Sequence, residues 1–226
     1  MVIDALHEHA SREVFDRVAH PFGPVPVPCL WPGSTVVCLG SGPSLTAADV
    51  EACHGRARVI AIKDTVRLAP WADVLYGAGA DAGGRTWWHL HGPTLAFSGL
   101  RYCLDPQASR WASVLARGPE QGLSADPGAL ALGGHSGYQA INLAVHLGAT
   151  RVVLLGYDMQ ATAGRQHYFG DHQHGAPGRK LPFDWFRLHW PSIVAPLSAL
   201  GVTVVNATRE TALDLFPRMS ITEALG

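Results

Sequence analysis

Charge is scarce in this chain. Only 15% of its 226 residues are Asp, Glu, Lys or Arg, and the formal net charge at pH 7 is −1. A protein that holds nucleic acid through bulk electrostatic attraction carries a marked excess of Lys and Arg. We therefore expect no nucleic-acid-binding surface of that kind. Apolar runs stay well short of the roughly 18 residues that indicate a membrane-spanning helix, so no membrane span is predicted.

Cysteines are few, and none belongs to a CxxC pair. The four are Cys29, Cys38, Cys53 and Cys103. A disulfide-stabilised secreted domain has more cysteines in a shorter chain. The N-terminal residues also lack the apolar core of a signal peptide. Together these features predict a protein of the reducing cytoplasm.

The first 33 residues are predicted to form a helix followed by an extended arm. Apolar residues recur at helical spacing over residues 3–19. Prolines then occupy four of the positions from 21 to 28, which argues against a helix or a central strand there. The arm either packs against the fold or contacts another subunit of a homo-oligomer. Residues 34–226 suffice for one domain with a full core.

Apolar segments with strand character alternate with glycine-rich loops and with segments of helical periodicity. This alternation is typical of βαβ units with right-handed crossovers. The sequence therefore predicts an α/β protein: a single Rossmann-like domain with a mostly parallel sheet and helices on both faces. Predicted strands cover residues 36–39, 58–62, 74–77, 151–155 and 202–206, with candidates at 94–97 and 101–104, and one long helix is predicted over 183–200.

A glycine-rich loop follows the first predicted strand. Gly40 and Gly42 permit backbone angles that other residues resist, and they permit close approach of a ligand to the main chain. Pro43 suits the first turn of a helix, where its missing N–H is not needed. A strand, a tight turn and a helix N-terminus together predict a phosphate site. The alternative is a turn that binds nothing.

A second glycine-rich loop, over residues 133–137, leads into a helix that Gly148 ends. No Gly-x-Ser-x-Gly elbow surrounds Ser136, so we interpret its hydroxyl as a donor to phosphate and not as a hydrolase nucleophile. In open α/β sheets such loops converge at the carboxyl ends of the strands, where ligands bind. The two loops are therefore predicted to share one ligand.

Histidines are concentrated in the polar segment 164–175, which is predicted to be a loop or lid. His167, Asp171, His172 and His174 have the residue types and spacing of a metal site. A solvated loop, or a single histidine acting as a general base near neutral pH, needs no metal, and these two interpretations together are favoured over a metal site. Asp81 and Asp158 each follow a predicted strand. Asp158 either faces the substrate or caps local backbone.

A dinucleotide-binding pattern is only partly present. Gly40 and Gly42 match the first two glycines of the GxGxxG motif, but Leu45 occupies the position of the third. Asp64 lies where an acid that binds ribose is expected, beside Lys63. No GxxxxGK[ST] P-loop occurs. The sequence therefore gives only weak support to a nicotinamide cofactor.

Three motifs carry a resemblance: Gly40-Ser41-Gly42-Pro43-Ser44-Leu45, His135-Ser136-Gly137 and Leu155-Gly156-Tyr157-Asp158. In this order they resemble a superfamily that includes small bacterial sialyltransferases and 6-hydroxymethylpterin pyrophosphokinase-like proteins. The likeness covers roughly residues 34–220. It extends to short phage and prophage proteins that share the tail 216–220.

The resemblance implies a site for a CMP-type nucleotide. The residues that match the family's nucleotide loops, or lie beside them, are Gly40, Ser41, Gly42, Pro43, Ser44, Ser136, Gly137 and Asp158. His172 matches the family's catalytic base, with Asp171 as the alternative. Lys63 replaces the usual asparagine, and we expect it to add positive charge near the leaving phosphate. Gln160 stands where a tyrosine is usual.

The resemblance implies transfer of a group, as in a glycosyltransferase, from a nucleotide-activated donor to a small hydroxyl acceptor. One alternative is Mg²⁺-dependent pyrophosphoryl transfer from ATP to a pterin-like alcohol, with Asp81 or Asp158 as the metal ligand. Another is a protein that binds nucleotides without catalysis.

Overall fold

The fold is built on a parallel β-sheet of seven strands. A computed structural model describes residues 24–79, 84–170 and 180–226. The predicted N-terminal helix lies outside these residues. In chain order the strands of this sheet and of a smaller two-stranded sheet are β1 Ser34–Leu39, β2 Arg58–Ile62, β3 Val74–Tyr76, β4 Leu100–Cys103, β5 Ser113–Val114, β6 Ala116–Arg117, β7 Ala129–Leu130, β8 Ala149–Leu155 and β9 Thr203–Asn206.

The strand order of the large sheet is β5-β4-β3-β2-β1-β8-β9, and every neighbouring pair is parallel. Strand β1 pairs with β2 on one side and with β8 on the other, so that Val37 lies between Val59 and Val153. The chain therefore reverses its direction of winding at β1. The predicted single Rossmann-like α/β fold is confirmed.

Helices cover both faces of the sheet. Because side chains alternate along a strand, Val36 and Cys38 of β1 belong to one hydrophobic core, while Val37 and Leu39 belong to the other. All four are fully buried, as expected for a parallel strand covered on both faces. The α-helices are α1 Ala47–Glu51, α2 Trp87–His91, α3 Ser136–His146, α4 Phe183–His189, α5 Pro191–Ala199 and α6 Ile221–Leu225, with 3₁₀ turns at Lys63–Arg67, Gly92–Thr94 and Pro106–Ala108.

The described part of the arm packs on this core. Val27 and Trp31 are both 4% exposed. The backbone N–H of Trp31 donates to the carbonyl of Leu147 at the end of α3, 2.6 Å away. Residues 24–33 therefore contribute to the domain. No helix in the described ranges is long and apolar enough to cross a membrane.

Two predicted elements differ from those observed. The single helix predicted over residues 183–200 is two helices, because Pro191 has no N–H to continue the hydrogen-bond ladder of α4. The strand candidate at 94–97 is wrong, since a 3₁₀ turn occupies Gly92–Thr94 and the strand begins at Leu100.

Candidate functional site

A cleft opens at the carboxyl ends of β1 and β8, where the winding of the sheet reverses. Open α/β sheets bind ligands at such a point. The cleft holds about 190 Å³, below the roughly 300–1,000 Å³ of typical small-molecule sites. This size favours a compact ligand over a dinucleotide. Its walls come from residues 40–42, 62–64, 135–137, 156–160, 166–167, 181, 183 and 186.

The glycines of the first loop are required by packing. Neither Gly40 nor Gly42 has a positive φ. A β-carbon on Gly40 would lie 2.5 Å from the carbonyl oxygen of Gly156, and one on Gly42 would lie 2.7 Å from the same oxygen and overlap Asp158 Oδ1. The loops after β1 and β8 therefore press against each other too closely for side chains. This close approach, rather than unusual backbone angles, explains the two glycines.

The helix after the first loop begins later than expected. Pro43 is buried and precedes α1 by four residues, so its predicted place in the first helical turn is wrong. Thr46 caps α1 and forms a capping box with Asp49. The Asp49 carboxylate in turn accepts two hydrogen bonds from Arg209, at 2.7 and 2.8 Å. The N-terminus of this short helix thus already holds a carboxylate of the protein.

Ser44 links the first loop to two others. Its backbone N–H donates to Asp158 Oδ2 at 2.8 Å. Its hydroxyl accepts from the N–H of Glu210 at 3.2 Å. Ser44 does not line the cleft. These two hydrogen bonds hold the first loop in place and keep Asp158 against it.

Asp158 is the most deeply buried charged group of the cleft. The residue is 1% exposed, and its Oδ1 atom has no hydrogen-bond partner among the described residues. Burial raises the pKa of Asp158 to about 6, the nearby charge of Glu210 acts in the same direction, and the hydrogen bonds from Ser44 oppose both. Asp158 therefore both supports the first loop, as the cap alternative expected, and lines the cleft.

The second glycine loop positions the N-terminus of α3. Gly133 and Gly134 have φ values of +48° and +78°, and a β-carbon on Gly133 would overlap the ring of Tyr138. Ser136 begins the helix and donates its hydroxyl to the carbonyl of Ala78, at 3.3 Å. Ser136 and Gly137 both line the cleft. The two predicted loops therefore do meet at one site.

His135 caps this helix with a neutral imidazole. Its Nδ1 accepts from the N–H of Gly137 at 3.1 Å, so the ring proton is on Nε2. Burial lowers the pKa of His135 to about 3, with smaller contributions from the charges of His189 and Lys63. The Nε2 atom is buried and has no partner among the described residues. No pattern in the sequence predicted a role for this ring.

Lys63 lies at the end of β2 with a left-handed backbone, φ 52°, and lines the cleft. Such a conformation is uncommon outside glycine and is associated with functional sites. The neighbouring Asp64 carboxylate accepts from Trp87 Nε1 at 3.2 Å and pairs with Arg67 at 3.0 Å. These partners give Asp64 a structural role, which weakens its comparison with an acid that binds ribose.

The start of the histidine-rich segment lies against the first loop. His167 Nδ1 and the Ser41 hydroxyl are 2.9 Å apart, and the N–H of Tyr168 donates to the carbonyl of Ser41 at 3.0 Å. The His167 ring stacks on Phe169, with centroids 4.9 Å apart. The segment therefore delivers one imidazole to the cleft. The sequence alone predicted neither the contact of His167 with Ser41 nor its contact with Phe169.

Part of the lining of the cleft is apolar. Met159 and Leu181 belong to it, together with Phe183 and Phe186 from α4. The Phe186 ring packs on His135 with centroids 4.8 Å apart. The cleft thus combines polar and charged groups with aromatic residues.

Four candidate residues lie outside the described residues: Asp81, Asp171, His172 and His174. Their predicted roles as base or metal ligand stay predictions. Within the described ranges, no group of three or more His, Cys, Asp or Glu side chains is arranged to hold a metal ion. Gln160, at the position of the expected tyrosine, does line the cleft.

Comparison with known proteins adds no relative: no family model, curated protein or solved structure matches the chain.

Proposed function

We propose that this protein binds a nucleotide in the cleft and transfers a group from a nucleotide-activated donor to a hydroxyl acceptor. One observation carries the proposal. Three segments that are far apart in sequence, residues 40–42, 135–137 and 166–167, line a single cleft where the sheet reverses its winding. The first two segments belong to motifs that carry the resemblance to sialyltransferases, and the third lies in the histidine-rich segment.

The mixed lining of the cleft supports a nucleotide as the ligand. Lys63, Ser41 and Ser136 contribute groups that would stabilise a phosphate. Phe183 and Phe186 offer aromatic rings to a base. The small volume disfavours a dinucleotide.

The histidine-rich segment supplies the general base in this proposal. The base removes the proton of the acceptor hydroxyl as its oxygen attacks the donor, and Lys63 and Ser136 offset the charge that develops on the leaving phosphate. His167 is the described histidine of this segment, and it lines the cleft. His172 remains the base that the resemblance implies, with Asp171 as the alternative.

Nucleotide binding is tested by thermal denaturation with CMP, CDP, UDP, GDP, ADP, ATP, NAD and NADP, each with Mg²⁺ and with EDTA. A ligand at about 100 times its Kd adds roughly 2.7 kcal/mol to the free energy of unfolding. We expect stabilisation by CMP or CDP without metal. Stabilisation by ATP only with Mg²⁺ would instead indicate pyrophosphoryl transfer, and no stabilisation by any nucleotide would contradict the proposal.

Catalysis is tested with the stabilising nucleotide as the donor moiety and three variants: His167→Ala, His172→Ala and Asp171→Ala. Replacement of the base should abolish turnover while nucleotide binding survives. Full turnover in all three variants would contradict a base in this segment. Recovery of intact donor from the wild-type protein after prolonged incubation with acceptors would favour the non-catalytic alternative.

A further inference from the structure

The carboxyl group of Asp158 has one satisfied oxygen and one that is not. Oδ2 accepts a hydrogen bond from the backbone N–H of Ser44 at 2.8 Å. Oδ1 is buried and has no partner among the described residues, in contact with Gly42 at the wall of the cleft. A buried polar atom without a partner costs free energy, so such an atom calls for an explanation.

The surroundings of this carboxyl disfavour its charged form. The residue is 1% exposed, and burial with the charge of Glu210 brings its pKa to about 6. The other titratable groups of the cleft wall are Lys63 and Asp64 at the end of β2, His135 at the start of α3, His167, and Tyr157, whose pKa burial raises well above its ordinary value. Asp64 is already paired with Arg67, and His135 is neutral.

A neutral carboxyl needs an acceptor for its proton. Because Oδ2 already accepts from Ser44, the proton belongs on Oδ1, which then becomes a donor beside the cleft. A phosphate oxygen is a strong acceptor, and O–H···O⁻ hydrogen bonds to ionised oxygens are short and strong. An ionised Asp158 would instead repel the same phosphate.

We propose that Asp158 binds the nucleotide phosphate as a neutral carboxylic acid, donating the Oδ1 proton in a hydrogen bond to a phosphate oxygen. This inference rests on the proposed function. The carboxylate takes up its proton from solvent to form the Oδ1–H bond, and no bond of the nucleotide forms or breaks. Nucleotide binding is therefore linked to protonation, and its affinity decreases as the pH rises above about 6.

The probe for this linkage is the methyl ester of CMP, whose phosphodiester and base do not titrate between pH 5.5 and 8. Its affinity is measured by calorimetry at both pH values for the wild type, Asp158→Asn and Asp126→Asn. Asn presents an N–H donor and never ionises. Asp126, whose carboxylate accepts from the N–H of Gly128, does not line the cleft and is the matched control.

We expect the affinity of the wild type to fall by up to about 80-fold between pH 5.5 and pH 8, since at a pKa of about 6 the neutral fraction of Asp158 falls from about three quarters to about one hundredth. The Asp126→Asn variant should follow the wild type, and Asp158→Asn should change less than about threefold. Equal pH profiles for wild type and Asp158→Asn would overturn the inference while leaving the nucleotide site in place. Absence of binding at both pH values in the wild type would overturn the proposed function and the inference together.

A second measurement uses the wild type alone, and it keeps the test decisive if Asp158→Asn fails to fold. Binding enthalpy at pH 7 is measured in two buffers of different ionisation enthalpy, which gives the number of protons taken up. We expect uptake approaching one proton per bound ligand. Uptake indistinguishable from zero would overturn the inference.

Discussion

Oδ1 of Asp158 occupies the space that any side chain at position 42 would need, so Gly42 and Asp158 together determine how the loops after β1 and β8 meet. The contact joins the loops that follow two neighbouring strands of the sheet, at the point where the winding of the sheet reverses. Ser44 completes the arrangement by donating its N–H to the other carboxylate oxygen. The first glycine loop is thus held in place by Asp158, the acid that follows β8.

Gly42→Ala should destabilise the protein by about 1–3 kcal/mol, the usual cost of overpacking a close contact. The new β-carbon overlaps Asp158 Oδ1 and lies 2.7 Å from the Gly156 carbonyl oxygen. Urea denaturation of Gly42→Ala, Asp158→Ala and the double variant measures the coupling between the two positions. We expect the double variant to be more stable than the sum of the single changes predicts, and strict additivity would contradict the contact.

The buried Asp158 carboxyl should make stability depend on pH. Its pKa in the folded protein, about 6, is above the ordinary value of 3.8. The contribution of Asp158 to the free energy of unfolding is therefore full below pH 4 and is lost as the pH rises through 6, by about 3 kcal/mol for a shift of two units. Because Asn does not ionise, the difference in free energy of unfolding between Asp158→Asn and wild type should grow by about this amount from pH 4 to pH 7.5. A difference that is constant across these pH values would refute the raised pKa.

His135 should have the opposite effect at acid pH. Its pKa in the folded protein is about 3, below the ordinary 6.5. The contribution of His135 to the free energy of unfolding is therefore full above pH 6.5 and is lost as the pH falls, by up to about 1.4 kcal/mol per pH unit. His135→Asn keeps an acceptor for the N–H of Gly137 and does not titrate. Denaturation at pH 7 and pH 5 should show a smaller loss in His135→Asn than in wild type. His135→Ala, which removes the cap, should lose about 1 kcal/mol even at pH 7.

Ser41 should matter for the rate of transfer if His167 is the base. Its hydroxyl lies 2.9 Å from His167 Nδ1, and this hydrogen bond orients the imidazole ring. Loss of this orientation in Ser41→Ala is expected to lower kcat by about 10- to 100-fold. Ser41→Thr retains a hydroxyl and should recover part of the rate. If alanine and threonine variants have the same kcat as wild type, the hydrogen bond has no part in catalysis.

Local patterns sufficed to predict most strands of the large sheet and the two glycine loops. The apolar run of β1 and the glycines after it are adjacent in sequence, as are Gly133, Gly134 and the helix that follows. The prediction that Pro43 lies in the first helical turn was wrong because the capping box of Thr46 and Asp49 sets the start of α1 at Ala47, four residues after Pro43. The prediction of one long helix over residues 183–200 was wrong because the ladder of backbone hydrogen bonds stops at Pro191.

Contacts across the fold were not accessible from the sequence. Ser41 and His167 are 126 residues apart, and Ser44 and Asp158 are 114 apart. No periodicity or motif connects such pairs, and only the order of strands in the sheet brings them together. The neutral state of His135 likewise depends on burial that a sequence does not reveal.

The central claim is that the loops after β1 and β8 and the start of α3 form one nucleotide site. A crystal structure of the protein soaked or co-crystallised with CMP tests it most directly. The account predicts a phosphate between the 40–42 loop and Ser136, within hydrogen-bond distance of Asp158 Oδ1, and a base against Phe183 or Phe186. An empty cleft, with the nucleotide bound elsewhere or not at all, would contradict it.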